Sequence, residues 1–280
     1  MNMNLRVSVT DVVNYALAED GQRSFINLYE KIVEGKKPKR TAPFLWGRIE
    51  HETSANLWMQ ELSVVSSMYA RNRWSHEEFV RRYKKHISHL IDGSASLPEL
   101  NEARNQLGTL ITDDRIAWHM ETYARQFVEL RFRNLKSMLR HRTLPHPIYP
   151  NKQVRSNCFG PLLVGLIDIS EYEHGVSVNL RELKRVESGY SDYLQVSLYG
   201  IMESQIPLTR RQPTVKTFLD YVPYGPMGVE VDYEKAREEG QRLVNELVKM
   251  LEKPKDEVKK MDKKKKEARK TDVSEMEVRR

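Results

Sequence analysis

At 280 residues the chain can bury one large core or two small ones, and its 39% hydrophobic and 30% charged residues describe a globular protein rather than a disordered one. The net charge of +7 is uneven: residues 253–280 hold 12 basic against 7 acidic side chains, a net +5 that leaves about +2 for the rest, so charge alone does not establish nucleic-acid binding. Cys158 is the only cysteine, which excludes an intrachain disulfide, a multi-thiolate zinc site and a four-cysteine iron–sulfur cluster, while the lack of any long apolar run or secretory-type N-terminus predicts a cytoplasmic chain with no membrane partner.

In chain order, residues 8–34 are predicted to be helical, with Thr10 or Asp11 as N-cap and Gly35 as the stop. Lys36 to Pro43 is a basic, proline-containing linker. A second helix is expected from about Phe44 to Tyr69, carrying His51. Ser75 and Glu78 form a capping-box pattern, followed by Phe79, Tyr83, Ile87 and Leu90 at helical spacing. Residues 112–142 describe another long helix, where Trp118, Tyr123, Phe127 and Phe132 are interleaved with Arg125, Arg131, Arg133, Lys136 and Arg140. That spacing suits an apolar face buried between arginine rims. The same residues would also suit a surface that stacks bases and tracks phosphates.

The character changes across Pro145, Pro147 and Pro150. Strands are predicted at Val154–Phe159, Leu162–Ser170 and Ser177–Val186, with His174-Gly175 as the turn between the last two. Cys158 then reads as a small buried apolar residue rather than a nucleophile. A helix from Ser191 to Glu203 places Leu194, Leu198 and Ile201 on one face. Val215–Val222 is a further strand, followed by a turn containing Pro and Gly. The helix Tyr233–Leu251 stops before Pro254, and Lys253–Arg280 reads as a solvated, disordered tail that adds phosphate affinity at most. The order of elements predicts an α/β fold: a central mixed sheet flanked by helices, with a large helical portion ahead of it. The division is residues 1–54 as N-terminal helices, 55–145 as a helical insertion, 146–252 as the core and 253–280 as the tail.

The chemistry concentrates in Gly165-Leu166-Ile167-Asp168, Glu182-Leu183-Lys184 and Gln195 with Tyr199. Phosphodiester cleavage needs an activated water and positive charge where the transition state accumulates negative charge. Hard divalent cations supply both, and they prefer oxygen ligands. Glu182 and Lys184 are two apart on a strand and emerge on one face. If their strand pairs with the one carrying Asp168, the two carboxylates can share a metal, with the Leu183 carbonyl as a further ligand. Lys184 would then orient the attacking water or steady the phosphate. Gln195 and Tyr199, at i and i+4, share one face of the next helix. Taken singly, Glu182 and Lys184 also fit an ion-paired strand face, and Gln195 with Tyr199 an ordinary helix face.

Together these segments resemble the PD-(D/E)XK nuclease superfamily, specifically its RecB-like branch and within it the CRISPR-associated exonucleases of spacer acquisition. The similarity spans about residues 150–252. It includes Val154-Arg155-Ser156, Phe218-Leu219-Asp220-Tyr221-Val222 and the helix after Val231, with a shorter match at Val7-Ser8-Val9-Thr10-Asp11 and Tyr15. The resemblance implies a restriction-endonuclease-like core and a metal-dependent deoxyribonuclease, an exonuclease working with Mg²⁺ or Mn²⁺ on single-stranded DNA or duplex ends. It also implies a helicase or CRISPR adaptation proteins as partners; no Walker A sequence is present, so the chain carries no P-loop motor of its own. Trp46-Gly47-Arg48-Ile49-Glu50-His51-Glu52 resembles the motif that supplies a metal-binding histidine in this branch, making His51 a candidate ligand beside a surface-histidine alternative. The cysteines that hold an iron–sulfur cluster in many of these exonucleases have no counterparts here, so no cluster is expected. A non-catalytic nucleic-acid-binding or assembly protein on the same fold is the alternative from a different class, and an RNA-directed nuclease is a third.

Overall fold

The computed structural model describes residues 6–37, 81, 148–173, 177–184, 189–205, 214–221 and 225–278. His51 and most of the expected insertion lie outside these residues. Strand β1 (Arg6–Ser8) leads directly into α1 (Val9–Glu19), and α2 (Phe25–Val33) follows. Where one helix was expected over 8–34, two form, separated by the turn at Asp20-Gly21 in which Gly21 takes a φ of 71°. The N-cap of α1 is Ser8 rather than Thr10 or Asp11. Its hydroxyl accepts from the Asp11 N–H at 3.1 Å, and Asp11 Oδ2 accepts in return from the Ser8 N–H at 3.1 Å. Asp11 Oδ1 also accepts from Lys31 at 2.5 Å, which ties the start of α1 to the last turn of α2. Gly35, with a φ of 68°, stands just beyond the end of α2, as expected.

The remaining elements are β2 (Ile148–Ser156), β3 (Leu162–Glu173), β4 (Ser177–Lys184), α3 (Tyr190–Ser204), β5 (Thr214–Tyr221), β6 (Gly225–Val229), α4 (Tyr233–Leu251) and α5 (Lys255–Val278). The strands form one mixed six-stranded sheet in the order β1-β3-β4-β5-β6, with β2 also paired to β3. β3 runs antiparallel to β2 and β4, β4 runs parallel to β5, and α3 is the crossover between that parallel pair.

One face of the sheet is sealed by helices. Leu163, Ile167, Val178 and Leu180 pack with Val12 of α1, Leu194, Leu198 and Ile201 of α3, and Leu243, Val244 and Leu247 of α4 in a single buried cluster. A fully buried leucine such as Leu198 contributes roughly 2 kcal/mol. The other face is more polar. There the Arg181 guanidinium lies 4.3 Å from the Phe218 ring centroid and 3.8 Å from Glu171, all on neighbouring strands.

Several elements differ from their predicted form. β2 begins at Ile148 and takes in Pro150, whereas Asn157–Phe159, expected to belong to the strand, lie in a turn that the Gly160 N–H closes by donating to the Asn157 carbonyl. Cys158 sits in that turn, half-buried against the core. The Gly- and Pro-containing stretch after Tyr221 includes β6; the sheet path ends at β6, and an end strand tolerates Pro226 because one of its sides needs no ladder donors. Where a disordered tail was expected, α5 is helical. Val258 and Asp262 are buried, and Asp262 accepts from Ser24 Oγ at 2.5 Å and the Phe25 N–H at 2.6 Å, so it caps α2 from 237 residues away.

Candidate metal-dependent active site

Asp168 was expected near the end of its strand, but β3 continues for five residues beyond it, to Glu173. What marks Asp168 is an interruption of pairing. The β2–β3 register is regular on both sides of it, yet the position facing Asp168 is Asn151, which has a φ of 50° and no partner in the ladder. Left-handed backbone at a non-glycine residue breaks strand alternation. Before this point Leu163 and Ile167, at odd positions, face the helices; beyond it Tyr172, at an even position, does so.

The β3–β4 ladder also ends here, at Ile169↔Arg181. Two residues beyond Arg181, the Leu183 N–H donates instead to Asp168 Oδ2 at 2.7 Å. A side-chain carboxylate therefore takes over where ladder pairing stops. This brings Asp168 and Glu182, both 5% exposed, side by side on adjacent strands.

Lys184 projects beside them. Its ammonium donates to Gln195 Oε1 at 2.7 Å and Glu182 Oε1 at 3.2 Å, with Asp192 Oδ1 at 3.8 Å. The Gln195 amide closes the loop by donating through Nε2 to Glu182 Oε1. One glutamine thus holds both the carboxylate and the lysine, using its acceptor for one and its donor for the other. Asp168, Glu182, Asp192 and Lys184 together carry two more negative than positive charges. Their oxygens are hard donors of the kind that Mg²⁺ or Mn²⁺ takes, so the residues present fit a divalent cation.

Tyr199 lies one turn further along α3, 3% exposed, with its hydroxyl 3.4 Å from Gln195 Nε2. Its ring is pressed against the backbone of β3: a Cβ added at Gly165 would stand 2.4 Å from Tyr199 Cε1. That close approach is the physical reason for glycine at the head of Gly165-Leu166-Ile167-Asp168. Burial, reinforced by the negative charge of Glu182, pushes the Tyr199 hydroxyl far above its ordinary range, so it stays protonated. For Cys158, burial likewise raises the thiol, which makes it a poor nucleophile.

The structure therefore brings together Asp168, Glu182, Leu183, Lys184, Gln195 and Tyr199. Among the described residues no group of three or more His, Cys, Asp or Glu side chains forms a metal cage. A fourth ligand, beyond the two carboxylates and the Leu183 carbonyl, is the part proposed for His51, which lies outside the described residues.

Two features escaped the sequence reading. Asp192, 3% exposed, belongs to the first turn of α3 and flanks Lys184. Its spacing of three from Gln195 is a signal that it shares the same helix face. Glu203 continues the stripe Gln195, Tyr199, Glu203 at four-residue steps. Its fully buried carboxylate accepts through Oε1 from Lys152 Nζ and from the Tyr172 hydroxyl at 2.5 Å. The Lys152 ammonium also lies 4.7 Å from the Tyr172 ring centroid. α3 is thus held to the sheet by polar contacts along its length, at Gln195 and again at Glu203.

No family model matches the chain, and no curated protein matches it. Among solved structures, a candidate exonuclease from Eubacterium rectale is similar over 87% of this chain and 80% of that one, at 10% identity and a TM-score of 0.44. A likeness of that size carries no argument about activity. No described helix is long and apolar enough to cross a membrane.

Proposed function

We propose that the chain is a divalent-metal-dependent deoxyribonuclease of the PD-(D/E)XK type, in the RecB-like branch. The observation that carries the reading is the pairing of two buried carboxylates, Asp168 and Glu182, where both neighbouring ladders break, with Lys184 held beside them by Gln195. Asp168, Glu182 and the Leu183 carbonyl would hold Mg²⁺ or Mn²⁺, with His51 assisting. Such a cation supplies Lewis-acid polarisation of the phosphate and a water of lowered pKa.

The chain's own residues do the positioning. Lys184 presents an ammonium to the phosphoryl oxygens or to the incoming water, and its direction is set by Gln195 and Asp192. Gln195 keeps Glu182 oriented, and the protonated Tyr199 packs the helix onto Gly165 so that this orientation is retained. DNA is the proposed substrate, cleaved as an exonuclease would cleave it. A helicase or CRISPR adaptation proteins as partners, and pathways of adaptation, repair or viral DNA processing, belong to the same proposal.

The test is incubation of end-labelled single-stranded DNA, duplex DNA and RNA with Mg²⁺, Mn²⁺ or EDTA. Metal-dependent products are expected from DNA, with losses of at least about a hundredfold in Asp168→Ala and Lys184→Ala, as for removal of a transition-state contact. No metal-dependent product, or cleavage that survives both substitutions, would instead favour a non-catalytic nucleic-acid-binding or assembly protein.

A further inference from the structure

Among the described residues the anchoring contacts of α5 lie in its first two turns. Val258 is fully buried, Asp262 caps α2, and Lys255 bridges Glu30 and Glu34 at 2.7 Å each. Beyond Asp262 the surroundings change. Lys263, Lys264, Lys265, Glu267 and Ala268 are all exposed. Successive helix residues turn by about 100°, so these five expose about 200° of the helix circumference to solvent. Continued to Val278, the helix is an arm about 24 Å long.

The first two turns of the arm are almost wholly charged, which gives them little packing reason to be a helix in isolation. Its charge is concentrated. Residues 263–270, Lys-Lys-Lys-Lys-Glu-Ala-Arg-Lys, carry a net +5 and begin immediately after the buried anchor. Internal pairing leaves much of this charge available. Lys259 and Lys263 make exposed pairs with Asp256 at 3.0 Å and Glu267 at 3.9 Å, of little energetic weight. Among the described residues Lys260, Lys264 and Lys265 form no salt bridge.

We infer that this basic arm docks the phosphate backbone of nucleic acid, at a surface separate from the carboxylate site. The inference rests on the nuclease reading only for the biological identity of its ligand. Eight helical residues rise about 12 Å, the axial length of three to four phosphates on one DNA strand. Charge complementarity selects a polyanion, and the buried anchor at Val258 and Asp262 sets where on the fold the arm begins.

The test uses the full chain with Asp168→Ala, in EDTA, so that nothing is cleaved. The comparison adds Lys264, Lys265, Lys266, Arg269 and Lys270→Gln, which removes charge and keeps helix propensity. Anisotropy of labelled single-stranded and duplex DNA of about 30 nucleotides is followed from about 50 to 300 mM salt. The neutralised chain is expected to bind at least about tenfold more weakly at low salt, with its logarithmic salt slope shallower by about 2–3, matching three phosphates released. Unchanged affinity and slope, or no DNA binding by either chain, would overturn the inference. So would loss of self-association in sedimentation without loss of DNA affinity, which would assign the arm to a second copy. Failure of the nuclease reading is a separate result: absence of metal-dependent cleavage by the native chain while binding and its salt slope persist.

Discussion

Gly165→Ala isolates the contact that seats α3 on the sheet. Two effects oppose each other. Gly165 lies in β3 with no left-handed backbone requirement, so alanine gains about 0.5–1 kcal/mol from reduced chain entropy. Against this, its Cβ would stand 2.4 Å from Tyr199 Cε1, 3.1 Å from Tyr199 Cδ1 and 3.2 Å from Val154 Cγ2. The tyrosine cannot swing clear, because it is only 3% exposed, so ring and helix must shift by about an ångström, an overpacking cost of about 1–3 kcal/mol. The balance is a net loss of about 0–2.5 kcal/mol, seen as a fall of up to several degrees in Tm. The effect on the proposed cleavage activity should be larger. The same shift draws Gln195, one turn away, off Glu182 and Lys184, and an ångström of misplacement costs up to about a hundredfold in rate. Thermal melts and single-turnover cleavage measure the two, and Tyr199→Leu provides the cycle, since a smaller side chain makes room for the added methyl. Coupling of at least about 1 kcal/mol in stability is expected between the two positions. A Gly165→Ala chain with unaltered Tm and rate, or strict additivity with Tyr199→Leu, would refute the argument.

Two further outcomes follow from buried polar groups. Glu203→Ala strands Lys152 beside Tyr172 without its carboxylate and should cost about 3 kcal/mol, whereas Lys152→Met combined with Glu203→Leu should recover most of it; denaturant midpoints decide. The hydroxyls of Tyr15, Tyr199 and Tyr233 are all raised chiefly by burial, that of Tyr233 to about 12. A raised folded pKa gives stability that is complete below the unfolded value near 10 and is lost as pH rises through the folded one. Stability should therefore decline above about pH 10, and Tyr199→Phe should make that decline shallower; an equally steep alkaline transition in the variant would contradict this assignment.

Much of the candidate site was legible because the spacings that define it are local. Glu182 and Lys184 share a face by strand alternation alone, and Gln195 and Tyr199 share one by helical periodicity. Hydrophobic periodicity likewise located α3 and placed α4 at the bounds where it lies, Tyr233–Leu251. These features depend on residues within one or two turns of each other, so the chain itself specifies them.

What depended on distant residues was not legible. The break at Asn151 opposite Asp168, which lets a carboxylate replace a ladder partner, exists only once β2 and β3 are paired. Strand β6 reads as a turn until its place at the end of the sheet path excuses Pro226. Residues 253–280 have the composition of a solvated tail, yet Asp262 finds N–H groups of α2 more than two hundred residues earlier and, with buried Val258, docks the first turns of a helix there. Local propensity and charge determined which residues face together on each element. Tertiary pairing decided which elements meet, because an unsatisfied backbone group or buried charge can be answered from anywhere in the chain, and composition does not say from where.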